Sequence, residues 1–396
     1  MRCRVCVAVA SVNTTVRLGG LTQIKPVGRD LPFGASARRR YTGRMAIARS
    51  IPLIRAAAIA PMRRWLSELG VDPASFLNRV ELDWVGENEE LLPIPLRGAV
   101  RLLVEIARVF GPDAPLRIAR DRGIFEIGPI GVLGLGGPTA RAGLHAIARN
   151  MPRHCTHEFF TVEDRDGLVR VGDGWAMNIG DPEARHHVQQ YVAALVEGIC
   201  RAAGGPEPWL SRVVILPHPQ AGLGHLRPWL GERATAGAGG PLEVDIADAV
   251  ADRAMPEAPH VEAAGPGDER WTSLRDGDTL ADSVALLVAS MLPRTWPSIG
   301  RIAGAAGASA RTLRRRLAEE GTTLSDVVDR TRADLAIARL QDDPPTPLSE
   351  LARELGYAHQ AALTRAVKRW TGASPRELAN GALLHTRGSS GRRSSF

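Results

Sequence analysis

Lysine is nearly missing from this 396-residue chain: Lys25 and Lys368 are its only two, so arginine carries almost all the positive charge. Cysteine is scarce as well, with four residues. So few thiols in so long a chain exclude a disulfide framework and point to a reducing compartment, hence the cytoplasm. Runs of about 18 apolar residues are absent, which excludes a helical membrane span. Cys3-x-x-Cys6 lacks the second pair that a zinc site needs. His154-Cys155-x-His157, His186-His187 and Cys200 follow no metal-ligand spacing, so no metal and no cofactor are expected. His187 reads as a core or pocket histidine. Gly134-x-Gly136-Gly137 is followed by no Lys-Ser/Thr, which a phosphate loop requires. No Ser/His/Asp set can be argued from spacing, and the acids between 158 and 183 read as a solvated hairpin. Catalysis is therefore not expected.

What is present is an uneven division of charge. The length suggests two or three domains, and 44% hydrophobic residues suffice for sizeable cores. Residues 294–396 carry 17 Arg and Lys against 10 Asp and Glu. Residues 51–293 carry 23 against 32, and residues 1–50 carry 10 against 1. A basic C-terminal module on an acidic body fits a protein whose hold on DNA is electrostatic and salt-sensitive. At the start, Arg2 and Arg4 followed by Cys6–Val12 imitate a signal peptide, but Ser11 breaks a short apolar run. Residues 1–44 are expected to be disordered or an over-extended start, with Met45 beginning the native protein. Regular periodicity starts at Ile51, so 1–50 is set apart. The tail 381–396, rich in Ser, Gly and Arg, is expected to be disordered.

The most informative stretch is 297–375, where a helix–tight turn–helix pattern occurs twice. In the second copy, Leu348, Leu351, Ala352 and Leu355 recur at spacings of three and four, on a short helix opened by Pro347. Gly356 stands where a helix must stop in the left-handed conformation. The next helix, about Gln360–Trp370, turns Leu363, Ala366, Val367 and Trp370 inward, and Ala361, Thr364, Arg365 and Lys368 outward. In the first copy, Ile299, Ile302, Ala303 and Ala306 form the leading helix and Gly307 ends it. Ser309 caps the helix Ala310–Glu320. Leu313 and Leu317 face inward there, Arg311 and Arg315 lie almost opposite, and Thr312 and Arg314 flank them. Leu324–Gln341 is an amphipathic spacer between the copies. Two helices held at fixed separation suit successive turns of the major groove on one face of a duplex.

The series Ser309-x-Arg311-Thr312-Leu313-x-Arg315-x-Leu317, Gly321, Arg332, Ala336, Leu340, Ala352, Leu355-Gly356-Tyr357, Thr364-Arg365-Ala366, Arg369-Trp370-Thr371-Gly372 and Ser374-Pro375 resembles the AraC/XylS family of transcription regulators. The likeness covers residues 278–380. It implies an all-α DNA-binding domain of about seven helices with two helix-turn-helix motifs, joined to an effector or dimerisation domain. By position, it implies DNA contacts from Arg311, Thr312, Arg314 and Arg315 in the first motif, and from Gln360, Ala361, Thr364 and Arg365 in the second. Two departures stand out. Leu363 and Val367 occupy positions where the family usually has Phe, which lightens the core of the second motif. Ala361 and Ala362 replace polar groups, leaving methyl contact with thymine as the reading mode there. The first motif is thus expected to carry more of the sequence discrimination.

Residues 51–254 read as an α+β effector-binding or dimerisation domain. Helices are expected at Ala57–Leu69, Pro73–Val80, Pro95–Phe110, Arg141–Met151 and Arg185–Ala203. Strands are expected at Glu158–Glu163 and Leu168–Gly172 around the Asp166-Gly167 turn, at Trp175–Ile179 and at Arg212–Leu216. Gly128-Pro129-Ile130-Gly131-Val132-Leu133-Gly134 and Arg212-Val213-Val214-Ile215-Leu216-Pro217-His218 resemble the "arabinose-binding" N-terminal domain of one AraC-type subfamily. That likeness implies a small-molecule effector pocket, a dimerisation surface, or both. Beyond Pro219 the pattern fades, and 255–277, rich in Pro, Ala, Gly and acids, reads as a linker. The expected whole is a sequence-specific transcription regulator controlled by a small-molecule effector. Promoter DNA, RNA polymerase and a second copy of the chain are its expected partners, with no membrane association. Two alternatives remain at this stage: a metabolite-processing enzyme fused to a DNA-binding module, and an architectural or protein-docking helical protein.

Overall fold

The structure is a computed structural model that describes residues 50–177, 179–256, 267, 270–274, 279–342 and 345–380. The expectations for the first 44 residues, the tail and much of the 255–277 stretch fall outside these residues. The chain enters through a short strand β1 (Leu53–Arg55) and a 3-10 turn, Ala56–Ile59, that leads into α1 (Ala60–Glu68). The helix expected from Ala57 begins later, because Pro61 prefers a first-turn position where its missing N–H costs nothing. Next come α2 (Pro73–Arg79), strand β2 (Pro93–Pro95), α3 (Leu96–Phe110), α4 (Ala114–Arg120), α5 (Gly123–Glu126), α6 (Pro129–Leu135) and α7 (Ala140–His154). A hairpin of β3 (Glu158–Arg165) and β4 (Leu168–Trp175) precedes the long α8 (Pro182–Ala202). Strand β5 (Arg212–Ile215), α9 (Arg227–Leu230), β6 (Ala234–Ala236), β7 (Leu242–Ala247) and α10 (Asp248–Ala251) complete this domain.

Five of the strands form one sheet in the order β3-β4-β7-β5-β6, antiparallel except for β5–β6. Its apolar face is set by alternation: Val169, Val171, Val213, Leu242, Val244 and Ile246 are all fully buried. Helices α7 and α8 pack against the sheet. Two strand expectations need correction. Trp175 ends β4, and the described residues after it form no third strand, since Asp181 there accepts a hydrogen bond from Ala184 N–H and starts α8. Conversely, the central strand β7 lies beyond Pro219, where the sequence pattern fades. Its sequence LEVDIA hides behind acids; Asp245 is buried because Arg170 on β4 holds it bidentately at 2.6 and 2.7 Å.

Gly134 and Gly143 have a packing role. A Cβ on Gly143 would lie 2.0 Å from the Gly134 carbonyl oxygen, and one on Gly134 would lie 2.8 Å from Ile147. Only glycine lets α6 and α7 cross this closely.

The C-terminal part is all helical: α11 (Leu280–Met291), α12 (Ile299–Ala305), α13 (Ala310–Glu319), α14 (Leu324–Gln341), α15 (Leu348–Glu354), α16 (Gln360–Thr371) and α17 (Pro375–Ala379). It is not strung loosely on the first domain. Ser283 on α11 accepts a hydrogen bond from Ile51 N–H at 2.8 Å, and α11 packs on β2. Arg301 on α12 grips both oxygens of Asp83, at 2.9 and 3.3 Å, and Arg294 pairs with Glu89. Within the stretch read as linker, Trp271 and Leu274 are buried, and Arg55 donates to the Thr272 carbonyl at 2.7 Å. Replacing Trp271 with Ala should therefore cost about 3–5 kcal/mol, the range for a buried aromatic. Chemical denaturation checks this; a loss below about 1 kcal/mol would show the segment to be peripheral.

Candidate nucleic-acid interface and ligand cavity

The two leading helices of the motifs are short and end alike. Gly307 and Gly356 adopt φ of 62° and 70°, conformations that other residues enter only with strain. In the first motif, Ser309 Oγ accepts from Thr312 N–H at 3.1 Å and starts α13. Leu313 and Leu317 are buried, so the opposite face is committed to solvent. Arg311, Arg314 and Arg315 are exposed on it, and Thr312 is half-buried beside the cap. Arg315 meets Glu319 one turn on, at 2.7 Å. That pair is exposed on both sides, so releasing it costs little.

In the second motif, the His359 ring Nδ1 accepts from Ala362 N–H at 3.2 Å and starts α16. Leu363, Ala366 and Val367 are buried, so the two residues that depart from the family pattern do face inward. Gln360, Ala361 and Arg365 are exposed. Thr364 is half-buried, and its hydroxyl donates to the Gln360 carbonyl at 3.0 Å. All eight sequence-selected positions thus lie on two helices, on faces their own leucines leave outward. Arg332 has a different role. Its guanidinium is buried between the rings of Trp296 (4.9 Å) and Tyr357 (4.6 Å). It locks the spacer helix α14 to the second motif.

A second site lies inside the N-terminal domain. A cleft that opens to solvent is lined by α3, α8, the entry turn and the hairpin. Its walls are mostly aliphatic: Ile54, Met62, Leu96, Leu103, Val188 and Leu195. An aliphatic lining with a few polar groups is that of a small-molecule pocket. The polar groups it contains are His154, Glu158, Trp175 and Tyr191. Tyr191 donates its hydroxyl to the Ala58 carbonyl at 3.1 Å. His154 Nδ1 is buried without a partner. Burial, aided by the positive charge of Arg55, depresses His154 to about 3, so the ring is neutral. Glu158 and Asp173 sit on one face of the hairpin, as the pairings Glu158↔Trp175 and Phe160↔Asp173 dictate. Burial pushes Glu158 up to about 7 and Asp173 well above the usual carboxylate range, the latter also through its acidic neighbour. These acids are not the solvated hairpin the sequence suggested. Strand alternation directs some of them inward, and this was readable only once the register was known.

The sign of the pH effect follows. Glu158 ionises near 4.5 when unfolded and near 7 when folded, so ionisation above that window opposes folding. Wild-type stability therefore loses this contribution as pH rises from 4.5 to 7. In Glu158→Gln that loss is absent, so the variant should gain on wild type across the interval, by up to about 3 kcal/mol, and then level off. Denaturation midpoints compared at several pH values check it; a difference independent of pH would place the carboxylate in solvent.

Comparison with known proteins covers both domains. The family described as "Helix-turn-helix domain" matches residues 302–381. The family described as "Arabinose-binding domain of AraC transcription regulator, N-term" matches residues 70–244. The HTH-type transcriptional regulator VirS of Mycobacterium tuberculosis is 32% identical over 332 residues, which is 82% of this chain and 96% of VirS. The HTH-type transcriptional regulator VqsM of Pseudomonas aeruginosa is 38% identical over 89 residues, 22% of this chain and 27% of VqsM. Among solved structures, the transcriptional regulator CdpR from Pseudomonas aeruginosa aligns over 82% of this chain and 98% of its own, at 21% identity and a TM-score of 0.37. Among the described residues no helix is long and apolar enough to cross a membrane. With a paired helix-turn-helix domain behind an arabinose-binding-type domain, and a relative matched over nearly its whole length, the chain belongs to the AraC/XylS family of DNA-binding transcription regulators.

Proposed function

We propose that this protein is an effector-controlled regulator in which the cavity of the N-terminal domain governs the first helix-turn-helix motif through α3. The observation that carries this reading is the two-sidedness of α3. Leu96, Ala99, Val100 and Leu103 line the cavity. Arg97, Gly98 and Arg101, on the other side, line a groove whose far wall is Leu287 and Met291 of α11 with Arg301, Gly304 and Ala305 of α12. A ligand that moves α3 by a fraction of an ångström therefore pushes directly on the motif that carries α13. Packed interfaces respond to such shifts by switching between arrangements, and the ligand selects one. The lining points to a largely apolar effector with a single hydrogen-bonding end, placed against His154 and Glu158.

In this reading Arg311, Arg314 and Arg315 read guanine edges or phosphates, with Thr312 beside them. Gln360, Ala361, Thr364 and Arg365 supply a sparser second contact. The first motif then carries most of the sequence discrimination, and the second anchors the domain. No observation favours the enzyme alternative or the architectural one.

Two measurements test the proposal. Arg315→Ala should weaken binding of the full-length protein to its own promoter DNA by about 1–3 kcal/mol in a footprinting titration. Unchanged affinity would remove Arg315 from the interface. Val192→Phe, which projects an added ring into the cavity, should leave that footprint intact while abolishing fluorescence enhancement of Nile red, an apolar dye. If the dye signal survives, the cavity is not the ligand site.

A further inference from the structure

We propose that Glu183, His187 and His218 form a binding site for a divalent first-row transition-metal ion of the zinc class. Four of the chain's 10 histidines come together at one end of the N-terminal domain. His186 and His187 lie on α8, His218 follows β5, and His225 lies in the turn before α9. Their rings stand 5.0 to 5.9 Å apart, centre to centre.

The four divide by what their nitrogens already do. His186 is engaged on both sides: Nδ1 donates to the Leu216 carbonyl at 2.5 Å, and Nε2 meets Gln190 at 2.6 Å and His225 at 2.9 Å. His187 is different. It is 1% exposed, its Nδ1 has no partner, and its Nε2 lies 4.0 Å from Glu183 Oε1. One ligand atom each from Glu183, His187 and His218 lies within 4.8 Å of the other two. Atoms bound about 2 Å from one tetrahedral ion stand roughly 3.3 Å apart, so a modest closing completes the set. Two imidazoles with one carboxylate and an open fourth position is a zinc-type donor set; imidazole nitrogen also suits nickel, cobalt and copper, and disfavours magnesium and calcium.

Glu183 and His187 are one turn apart on α8, so the helix presents both on one face. Arg108 holds the same carboxylate chiefly through Oε2, at 3.1 Å, and fixes its orientation. His218 must give something up. Its Nδ1 accepts from Gln220 N–H at 3.2 Å and Ala221 N–H at 3.0 Å, which places its proton on Nε2. Ligation turns this ring out of its own loop, so the expected affinity is micromolar rather than nanomolar. Sequence spacing shows no metal motif here, because His218 lies 31 residues beyond His187. The partner comes instead from the loop that β5 delivers to α8.

The test is titration of the full-length protein with Zn²⁺ alone, with Co²⁺ as spectroscopic substitute and Mg²⁺ as control. One Zn²⁺ should bind per chain, and Co²⁺ should show the visible absorption of a four-coordinate nitrogen–oxygen site. His187→Gln, His218→Gln and Glu183→Gln should each weaken binding by about tenfold or more, while His145→Gln, half-buried on α7 beside Asp164, should not. Glu183 is half-buried, so its variant keeps the test open should a histidine variant fail to fold. Absence of Zn²⁺ uptake overturns the site. So does loss of binding in His225→Gln with retention in His218→Gln, which would assign the metal to the other pair of rings.

Discussion

Everything in this molecule depends on one continuous apolar seam between two domains of opposite charge. α11 is buried on both sides: Val284, Leu287 and Val288 are fully enclosed, with β2 on one flank and α14 on the other. Its start is held from both directions. Glu320 at the end of α13 accepts from Leu280 and Ala281 N–H at 2.9 Å, and Ser283 takes Ile51 N–H. The carboxylate also complements the positive end of the helix dipole. A helix so shared belongs to neither domain alone, and it joins them alongside the Arg301–Asp83 and Arg294–Glu89 pairs.

The charge division acquires meaning against that seam. The exposed arginines of α13 stand on a face whose other side is leucine. Elsewhere arginine is spent on structure. Arg55 staples three carbonyls, Arg170 neutralises buried Asp245, Arg301 bridges to Asp83, and Arg332 fills the gap between two aromatic rings. The planar guanidinium serves both purposes, which a lysine ammonium would not. A count of positive charge cannot separate the two roles; burial and partners do.

The C-terminal domain was legible because helix-turn-helix rules are local. Ser309, Gly307, Gly356 and the leucine spacing of α13 each act within a few residues, so α13, α14 and α16 fall where the pattern set them, within a residue at their ends. The N-terminal domain was less so. β7 is central by virtue of hydrogen bonds to β4 and β5, both distant in sequence. Its buried Asp245 looks like a solvated acid until Arg170 is seen opposite. The cavity draws its walls from residues 54 to 195, and no periodicity announces such a gathering. Asp173 changed from a surface acid to a buried one, and Glu158 to a half-buried one, once the hairpin register was known.

The amino-acid sequence by itself determined the family, the second helix of each helix-turn-helix motif, their outward cations and the turns that set them, because each depends on side chains within one or two helical turns. Only the tertiary structure decided that α3 faces a cavity on one side and the first motif on the other, that Trp271 is core, and that His187 stands beside His218. Those facts rest on contacts between segments tens to hundreds of residues apart, where burial turns an ordinary side chain into a constrained one.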